Sequence, residues 1–318
     1  MLARIVFWIL AAAFSAAAFA QYPSRPIRIV VTIPPGGAPD IAARIVGHKL
    51  GEALGQPVVV ENRPGANGNT AAEMVANAPA DGYTLILAAD SLITINPHLY
   101  ARMPLDPLKD LTPVASLVTN QFVLSVNPSL PVRTFPEFIE YARKANPPLN
   151  YASGGNGSQH QLTMEMLKQR AGIDMVHVPY RGGAPATTAT VAGEVAAMFA
   201  GTSTAPQIKA GRLRALAVAG AKRSPSFPDL PTIGEFYPGF ENSIWLGLFG
   251  PAGLPEEVLI RLRKEINRTL QLQEVREKLL GSGSLEPLIT TPEEFSALIR
   301  RDYDRYGKLI KAIGVKSD

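Results

Sequence analysis

The stretch Ile33–Asp40, Ile-Pro-Pro-Gly-Gly-Ala-Pro-Asp, has the residue types of a binding site for an anion. It lies between an apolar run that predicts a strand and a pattern that predicts a helix. Pro39 suits the first helical position, which makes Ala38 the N-cap, and alanine caps poorly. The two glycines let another molecule approach the free N–H groups, and such a helix end favours an anion. The alternative is a tight turn in which Asp40 satisfies the helix end itself.

Two further glycine-rich stretches favour the same chemistry. Gly182–Pro185 is a near copy of the first stretch, again between a predicted strand and a predicted helix. Tyr151–Ser158 is a predicted strand followed by a glycine-rich loop, and Ser158 with Gln161 predicts a capping box at the next helix. For Ser158 alone, an ordinary cap explains the sequence at least as well as ligand contact does. Together the stretches predict two lobes that direct helix ends at a shared cleft.

Catalytic chemistry has less support in the sequence. Gly201–Ala205 resembles the Gly-x-Ser-x-Gly turn of hydrolases, but it ends in alanine and all four histidines precede Ser203. The glycine loops lack the lysine of a phosphate-binding loop, and the histidines have no metal-ligand spacing. We therefore expect no catalytic residue, no metal and no cofactor. An exported hydrolase or isomerase with Asp40 or Asp90 as its base stays open as an alternative.

Composition and the N-terminus predict an exported, soluble protein. The 318 residues include no cysteine, which excludes a lipid-modified cysteine, disulfides and thiolate metal sites. Residues 1–20 combine Arg4, an apolar run and the small-residue motif Ala18–Ala20, so we predict a signal peptide that is cleaved after Ala20. The chain has 31 Lys and Arg against 27 Asp and Glu without a long basic block, so we expect no nucleic-acid partner.

The elements that must position these stretches alternate between strands and helices. Apolar strand-like runs separated by helical patterns predict a parallel sheet covered by helices. These runs are 27–33, 56–61 and 84–88. Residues 90–96 follow the third run, and ligands of open α/β sheets bind at such carboxyl ends. Two strand-like runs, 114–118 and 122–126, predict the crossing into a second lobe, and 243–249 predicts the return, so we expect a hinge.

Taken in order, the motifs resemble those of Bug-type solute receptors, the periplasmic binding components of tripartite tricarboxylate transporters. The resemblance covers essentially the whole mature chain. The segments that carry it include Pro35–Gly37 with Asp40, Glu61–Ala66, Asp81–Leu85, Ile95–Pro97, Tyr151–Ser158, Val176–Tyr180, Lys209–Ala215 and Trp245–Pro251. It implies an α/β fold of the type II periplasmic binding class, with two Rossmann-like lobes joined by a two-stranded hinge in the manner of a Venus flytrap.

The resemblance also implies domain boundaries and a function. We expect lobe 1 to comprise residues 21–120 and 246–318, and lobe 2 residues 121–245. Members of this family bind small carboxylates, largely through backbone N–H groups, hydroxyls and waters. We therefore expect a periplasmic, monomeric receptor that passes a carboxylate to membrane permease subunits. A sensory receptor that signals to a membrane kinase is the alternative that the sequence leaves open.

The expected ligand-binding residues come from the glycine stretches and from matching family positions. They are Ile33, Gly36, Gly37, Ala38, Pro39, Asp40, Asp90, Ser91, Ser153, Asn156, Gly157, Ser158, Tyr180, Ala200 and Gly201. Ile33 replaces a common aromatic, and Ala200-Gly201 replaces a common Asp-Asn pair. Asp90 would repel a second ligand carboxylate, or it could pair with an ammonium group or accept from a ligand hydroxyl. If it repels, Asp90→Ser is predicted to improve dicarboxylate binding. For Trp245, inside an apolar strand, a core position is the better interpretation.

Overall fold

The computed structural model describes residues 22–201, 204–283 and 285–315. The predicted signal peptide and Ser203 of the hydrolase-like turn lie outside these residues. The strands are β1 (Ile27–Val31), β2 (Val58–Asn62), β3 (Thr84–Ala89), β4 (Leu111–Val126), β5 (Leu149–Ser153), β6 (Met175–Pro179), β7 (Ala197–Gly201), β8 (Arg214–Val218), β9 (Ser243–Pro251) and β10 (Glu286–Pro287). The helices are α1 (Ala38–Leu54), α2 (Asn69–Ala76), α3 (Asp90–Thr94), α4 (Asn96–Leu99), α5 (Pro107–Asp110), α6 (Phe135–Lys144), α7 (Gln159–Ala171), α8 (Gly183–Ala192), α9 (Ala205–Lys209), α10 (Glu256–Gln271), α11 (Gln273–Gly283) and α12 (Pro292–Ile313).

The strands form one sheet in the order β2-β1-β3-β9-β4-β7-β5-β6, and β8 and β10 also pair with β4. β1 runs parallel to β2 and β3, and β5 runs parallel to β6 and β7. Between these two parallel sets, β4 and β9 run antiparallel to each other. Each parallel set with its helices is one lobe, and the β4–β9 pair connects them. The predicted α/β architecture of two lobes and a two-stranded hinge is confirmed.

The crossing strand β4 differs from its prediction. We expected separate strands at 114–118 and 122–126, but a single strand spans Leu111–Val126. Asn120 and Gln121 continue it and pair with Ile244 and Ser243 of β9. Because these two residues are polar, they interrupt the apolar pattern in the sequence, although the strand continues through them. The continuous strand gives the hinge a direct hydrogen-bonded path from one lobe to the other.

Each lobe has its own hydrophobic core. In the first lobe, α1 and α10 contribute Leu50 and Ile266, which are fully buried. In the second lobe, α6 and α7 contribute Phe138 and Met164. Ile244 on β9 packs against both clusters, as a residue on the connection should. Separate cores allow the lobes to move as units about the two connecting strands.

The C-terminal helices pack an apolar face inward. In α10 the buried positions recur with helical spacing; they include Val258, Leu262, Ile266 and Leu270. Thr291 and Glu294 form the full capping box that begins α12. Trp245 is a core residue with 2% exposure. Among the described helices, none is long and apolar enough to cross a membrane.

Candidate functional site

The start of α1 is an uncapped helix end on a glycine turn. Gly37 is the N-cap in an extended conformation, and Ala38 and Pro39 are the first two helical residues. The prediction that Ala38 is the N-cap was therefore wrong by one residue, because Ala38 already has helical dihedrals while Gly37 has φ −82° and ψ 168°. No side chain of the described residues caps this end. A Cβ on Gly37 would clash with the Cδ1 of Ile33, so the Ile33 side chain lies directly on the turn.

Asp40 holds this turn from within the first lobe. Its carboxylate accepts hydrogen bonds from the Gly36 N–H at 2.9 Å, the Arg44 Nε at 3.0 Å and the Asn62 Nδ2 at 2.9 Å. Burial alone would raise the pKa of Asp40, but these bonds outweigh it and lower the pKa below its usual value. Asp40 is therefore ionised and fully engaged. Its bond to Gly36 stabilises the loop, while the first N–H groups of α1 stay uncapped.

Ser153 organises the glycine loop of the second lobe. Its buried hydroxyl accepts a hydrogen bond from the Gly155 N–H at 3.0 Å and lies 2.6 Å from Nε2 of His177. Its carbonyl accepts from the Tyr180 N–H at 3.0 Å. These bonds fix the path of the chain where β5 and β6 end side by side. Gly155 has φ +122°, a conformation that favours glycine.

The predicted cap at the start of α7 is present in modified form. The Ser158 hydroxyl accepts from the Gln161 N–H at 3.4 Å. The Gln161 side chain accepts from the N–H of Gly157 at 2.7 Å, one residue before the N-cap that a capping box would use. Gly157 has φ +72°, and an added Cβ would lie 2.5 Å from Leu99 of the first lobe. The loop is therefore pressed against the opposite lobe, with Asn156 exposed at its tip.

The start of α8 repeats the arrangement of α1. Gly182 is the N-cap at φ 111°, and this helix too has no side-chain cap from residues 22–201, 204–283 or 285–315. Tyr180, just before it, donates its hydroxyl hydrogen bond to Glu194 at 3.3 Å. Ala200, near the carboxyl end of β7, is buried, and Gly201 is partly buried. Both lobes thus present an uncapped helix start at a glycine pair near the carboxyl end of parallel strands; the pair precedes α1, whereas its second glycine, Gly183, is the first residue of α8.

Asp90 joins the two lobes. It follows β3 directly and is fully buried. One carboxylate oxygen accepts from the Ser91 N–H at 2.9 Å, and the other accepts a very short hydrogen bond from Gln159 Nε2 of the second lobe. Burial raises the pKa of Asp90 well above its usual value, the nearby Asp302 adds to the rise, and the Ser91 and Gln159 bonds oppose it. In this arrangement the Asp90 carboxylate is enclosed by residues of both lobes. Its repulsion of a ligand carboxylate stays a prediction.

Sequence reasoning missed the partners of both acids. Arg44 lies one helical turn after Asp40, and that spacing could have predicted the pair. Gln159 adjoins the predicted Ser158 cap but carries no sequence signal that it reaches another lobe. Among the described residues, no group of three or more acidic, histidine or cysteine side chains is placed to hold a metal ion.

Comparison with known proteins decides the family. The model of the tripartite tricarboxylate transporter family receptor matches residues 42–315. The chain belongs to this receptor family. It is 34% identical over 298 residues to protein BugT of Bordetella pertussis, covering 93% of this chain and 91% of that protein. The Bug-type resemblance seen in the sequence is therefore confirmed.

Two solved structures from Rhodopseudomonas palustris show how far this family likeness extends. The structure of Rpa4515 with adipate has a TM-score of 0.81 and 34% identity, covering 93% of this chain and 99% of that chain. The structure of MatC with bound malate has a TM-score of 0.74 and 32% identity, covering 91% of this chain and all of that one. The receptor family and its two-lobed periplasmic binding fold thus extend over nearly all of the chain.

Proposed function

We propose that this protein is a periplasmic receptor that captures a small organic carboxylate between its lobes and delivers it to a tripartite tricarboxylate-type membrane transporter. The observation that carries the proposal is the pair of uncapped helix starts, at Gly37 in the first lobe and at Gly182 in the second. Each presents backbone N–H groups at the carboxyl end of a strand. A carboxylate can satisfy such groups without a cationic side chain.

The relatives support this ligand class. Two structural relatives, at 34% and 32% identity, have been solved with adipate and with malate, and both molecules carry carboxylates. We propose that the residues expected from the sequence, other than the enclosed Asp90, line the cleft, with the backbone at Gly37 and Gly182 as the main donors. Ile33, which lies on the first turn, then supplies an apolar wall beside the carboxylate.

We further propose that the receptor is not an enzyme. The alternative required Asp40 or Asp90 as a base. Asp40 is already ion-paired with Arg44, and its lowered pKa makes it a weak base. Asp90 is enclosed between Ser91 and Gln159. Neither carboxylate is free to take a proton from a bound molecule.

The proposal includes the path of the protein and its partners. We propose cleavage after Ala20, export to the periplasm, and a monomer that meets the permease subunits. We propose lobe boundaries at 21–120 with 246–318, and at 121–245, because β4 and β9 cross between the lobes close to residues 121 and 245. The intact mass of protein recovered from the periplasm tests the cleavage, since a chain that begins at Gln21 is expected.

A ligand screen tests the function. The mature protein would be mixed with acetate, benzoate, succinate, malate, adipate, citrate, aspartate and glutamate, and thermal shifts would be followed by calorimetry. We expect at least one carboxylate to bind tightly and to be recovered unchanged. Absence of binding across the panel, or consumption of a carboxylate at catalytic protein levels, would overturn the proposal. Mass spectrometry of a co-purified molecule extends the search beyond the panel.

A further inference from the structure

His160 lies in the second lobe at the edge where the proposed ligand binds. It is the second residue of α7, one turn before Met164 and two turns before Leu167, both of which are in the core of that lobe. This spacing places His160 on the side of α7 that faces the sheet. Because His160 is in the first turn, its ring lies at the carboxyl ends of the parallel strands, where α/β sheets bind ligands.

Two glycines make room for this ring. A Cβ added to Gly154 would lie 3.2 Å from Nδ1 of His160, and a Cβ added to Gly183 would lie 3.2 Å from Nε2. Neither glycine has a positive φ, so the backbone conformation requires glycine at neither position. Phe122 fixes the ring from a third side, with centroids 5.2 Å apart in an edge-to-face arrangement. The ring is thus held beside the uncapped start of α8.

The His160 ring is held in place but has no polar partner within the part of the chain that the structure describes. Each of the other three histidines has a polar partner. His48 pairs with Glu52, His98 lies beside the Tyr303 carbonyl, and His177 lies beside the Ser153 hydroxyl. Among the described residues, none forms a hydrogen bond or ion pair with His160, which is only partly buried. Burial lowers the pKa of His160 to about 4, so the ring is neutral near pH 7 and carries one N–H donor.

We propose that His160 is the side-chain donor of the second lobe's binding wall, and that its ring N–H bonds a carboxylate oxygen of the ligand at the start of α8. This inference rests on the proposed function and specifies it. A neutral imidazole adds one directed hydrogen bond without a fixed charge, which complements the backbone N–H groups at Gly183. The competing role is that of a packing spacer between Phe122 and the two glycines.

Substitutions at His160 separate these roles. We would measure affinities of the wild type, His160→Phe and His160→Gln for each carboxylate of the panel that binds the wild type. Phenylalanine keeps the aromatic packing but removes the donor, so we expect affinity to fall about tenfold or more, since hydrogen bonds to charged groups are among the stronger ones. Glutamine keeps a donor and should recover part of the loss. His48→Gln, on the exposed face of α1, serves as the matched control and should bind as the wild type does.

Thermal unfolding and nitrogen NMR complete the test. A His160→Phe protein that keeps the wild-type melting temperature and the wild-type affinity overturns the proposal. If His160→Phe fails to fold, the ring nitrogen signals of His160 in the wild type decide, because they must shift when a binding carboxylate is added. Unchanged ring signals also overturn the inference. If no carboxylate of the panel binds even the wild type, the proposed function itself fails.

Discussion

Asp40 and Asp90 each lie in the first turn of a helix that follows a strand of the first lobe, yet their surroundings are opposite. Asp40 has a cation, Arg44, and two further donors, and its pKa is lowered. Asp90 accepts from a backbone N–H and an amide, has the acid Asp302 nearby, and its pKa is raised. Two acids in first helical turns of the same lobe therefore have pKa values shifted in opposite directions.

The difference also concerns which parts of the molecule each acid connects. Asp40 binds Gly36, Arg44 and Asn62, so it fixes the glycine turn within one lobe. Asp90 binds Gln159, so it connects the lobes. A paired, ionised carboxylate suits a permanent structural bond. A buried carboxylate with few donors is costly to keep charged, which suits a contact that forms only when the lobes meet.

The largest effect is expected at Asp40. Asp40→Asn removes the ion pair with Arg44 and one acceptor while it keeps the size of the side chain. We expect the free energy of unfolding to fall by about 2–3 kcal/mol, at the low end for buried pairs because Arg44 is half exposed. Urea unfolding at pH 7 measures it. Because the pKa of Asp40 is lowered in the fold, this stability is present at neutral pH and is lost as the pH falls through the folded pKa.

An exposed ion pair is the control for Asp40. Glu140 pairs with Arg143 at 2.6 Å, and both side chains are about half exposed. Glu140→Gln should cost less than about 1 kcal/mol, as exposed pairs do. Equal losses for Asp40→Asn and Glu140→Gln would mean that burial of Asp40 adds nothing, and the contrast with Asp90 would lose its basis.

The next effect is expected at the partner of Asp90. Gln159→Ala removes the donor that crosses between the lobes and leaves the buried carboxyl of Asp90 with one bond fewer. We expect a loss of about 1–2 kcal/mol in unfolding free energy, together with faster amide hydrogen exchange in α3. Exchange measured by mass spectrometry reports the opening of this contact directly.

Gln161→Ala is the matched control for Gln159. It removes a side-chain bond of similar kind, to the Gly157 N–H, but that bond lies within the second lobe. Both variants should lose stability, and only Gln159→Ala should speed exchange in α3. If α3 exchanges equally in both variants, Asp90 and Gln159 do not form a specific contact between lobes.

The sequence predicted much of this fold because local signals agreed with the final structure. The strands within 27–33 and 84–88 and the Ser158 cap of α7 were predicted from sequence, since apolar runs and capping residues act locally. The unbroken strand through Asn120 and Gln121 was missed because its polar residues pair across the sheet with distant Ile244 and Ser243. Likewise, the Asp90–Gln159 bond joins residues far apart in sequence, and no local pattern records it.

The smallest expected change in stability is at Asp90, and its sign tests the contrast between Asp90 and Asp40. In Asp90→Asn the cost of burying a charge disappears, offset by the loss of one acceptor, so we expect a gain of about 1 kcal/mol in unfolding free energy at pH 8. Since the pKa of Asp90 is raised in the fold, the wild type loses stability as the pH rises from the usual carboxyl range through the folded pKa. The advantage of the variant should therefore grow with pH, which urea unfolding between pH 4.5 and 8 measures.

Ligand preference gives Asp90→Asn a second readout. If Asp90 is enclosed, the affinities of the variant for succinate, malate and acetate should fall in the same order as those of the wild type. The sequence-based expectation for Asp90→Ser was improved dicarboxylate binding, and that requires Asp90 to face the ligand. A pH-independent stability difference combined with a selective gain in affinity for dicarboxylates would show that Asp90 lies on the cleft wall. A pH-dependent difference with unchanged preference would keep it as the contact between lobes, and Asp40 would remain the acid that shapes the binding turn.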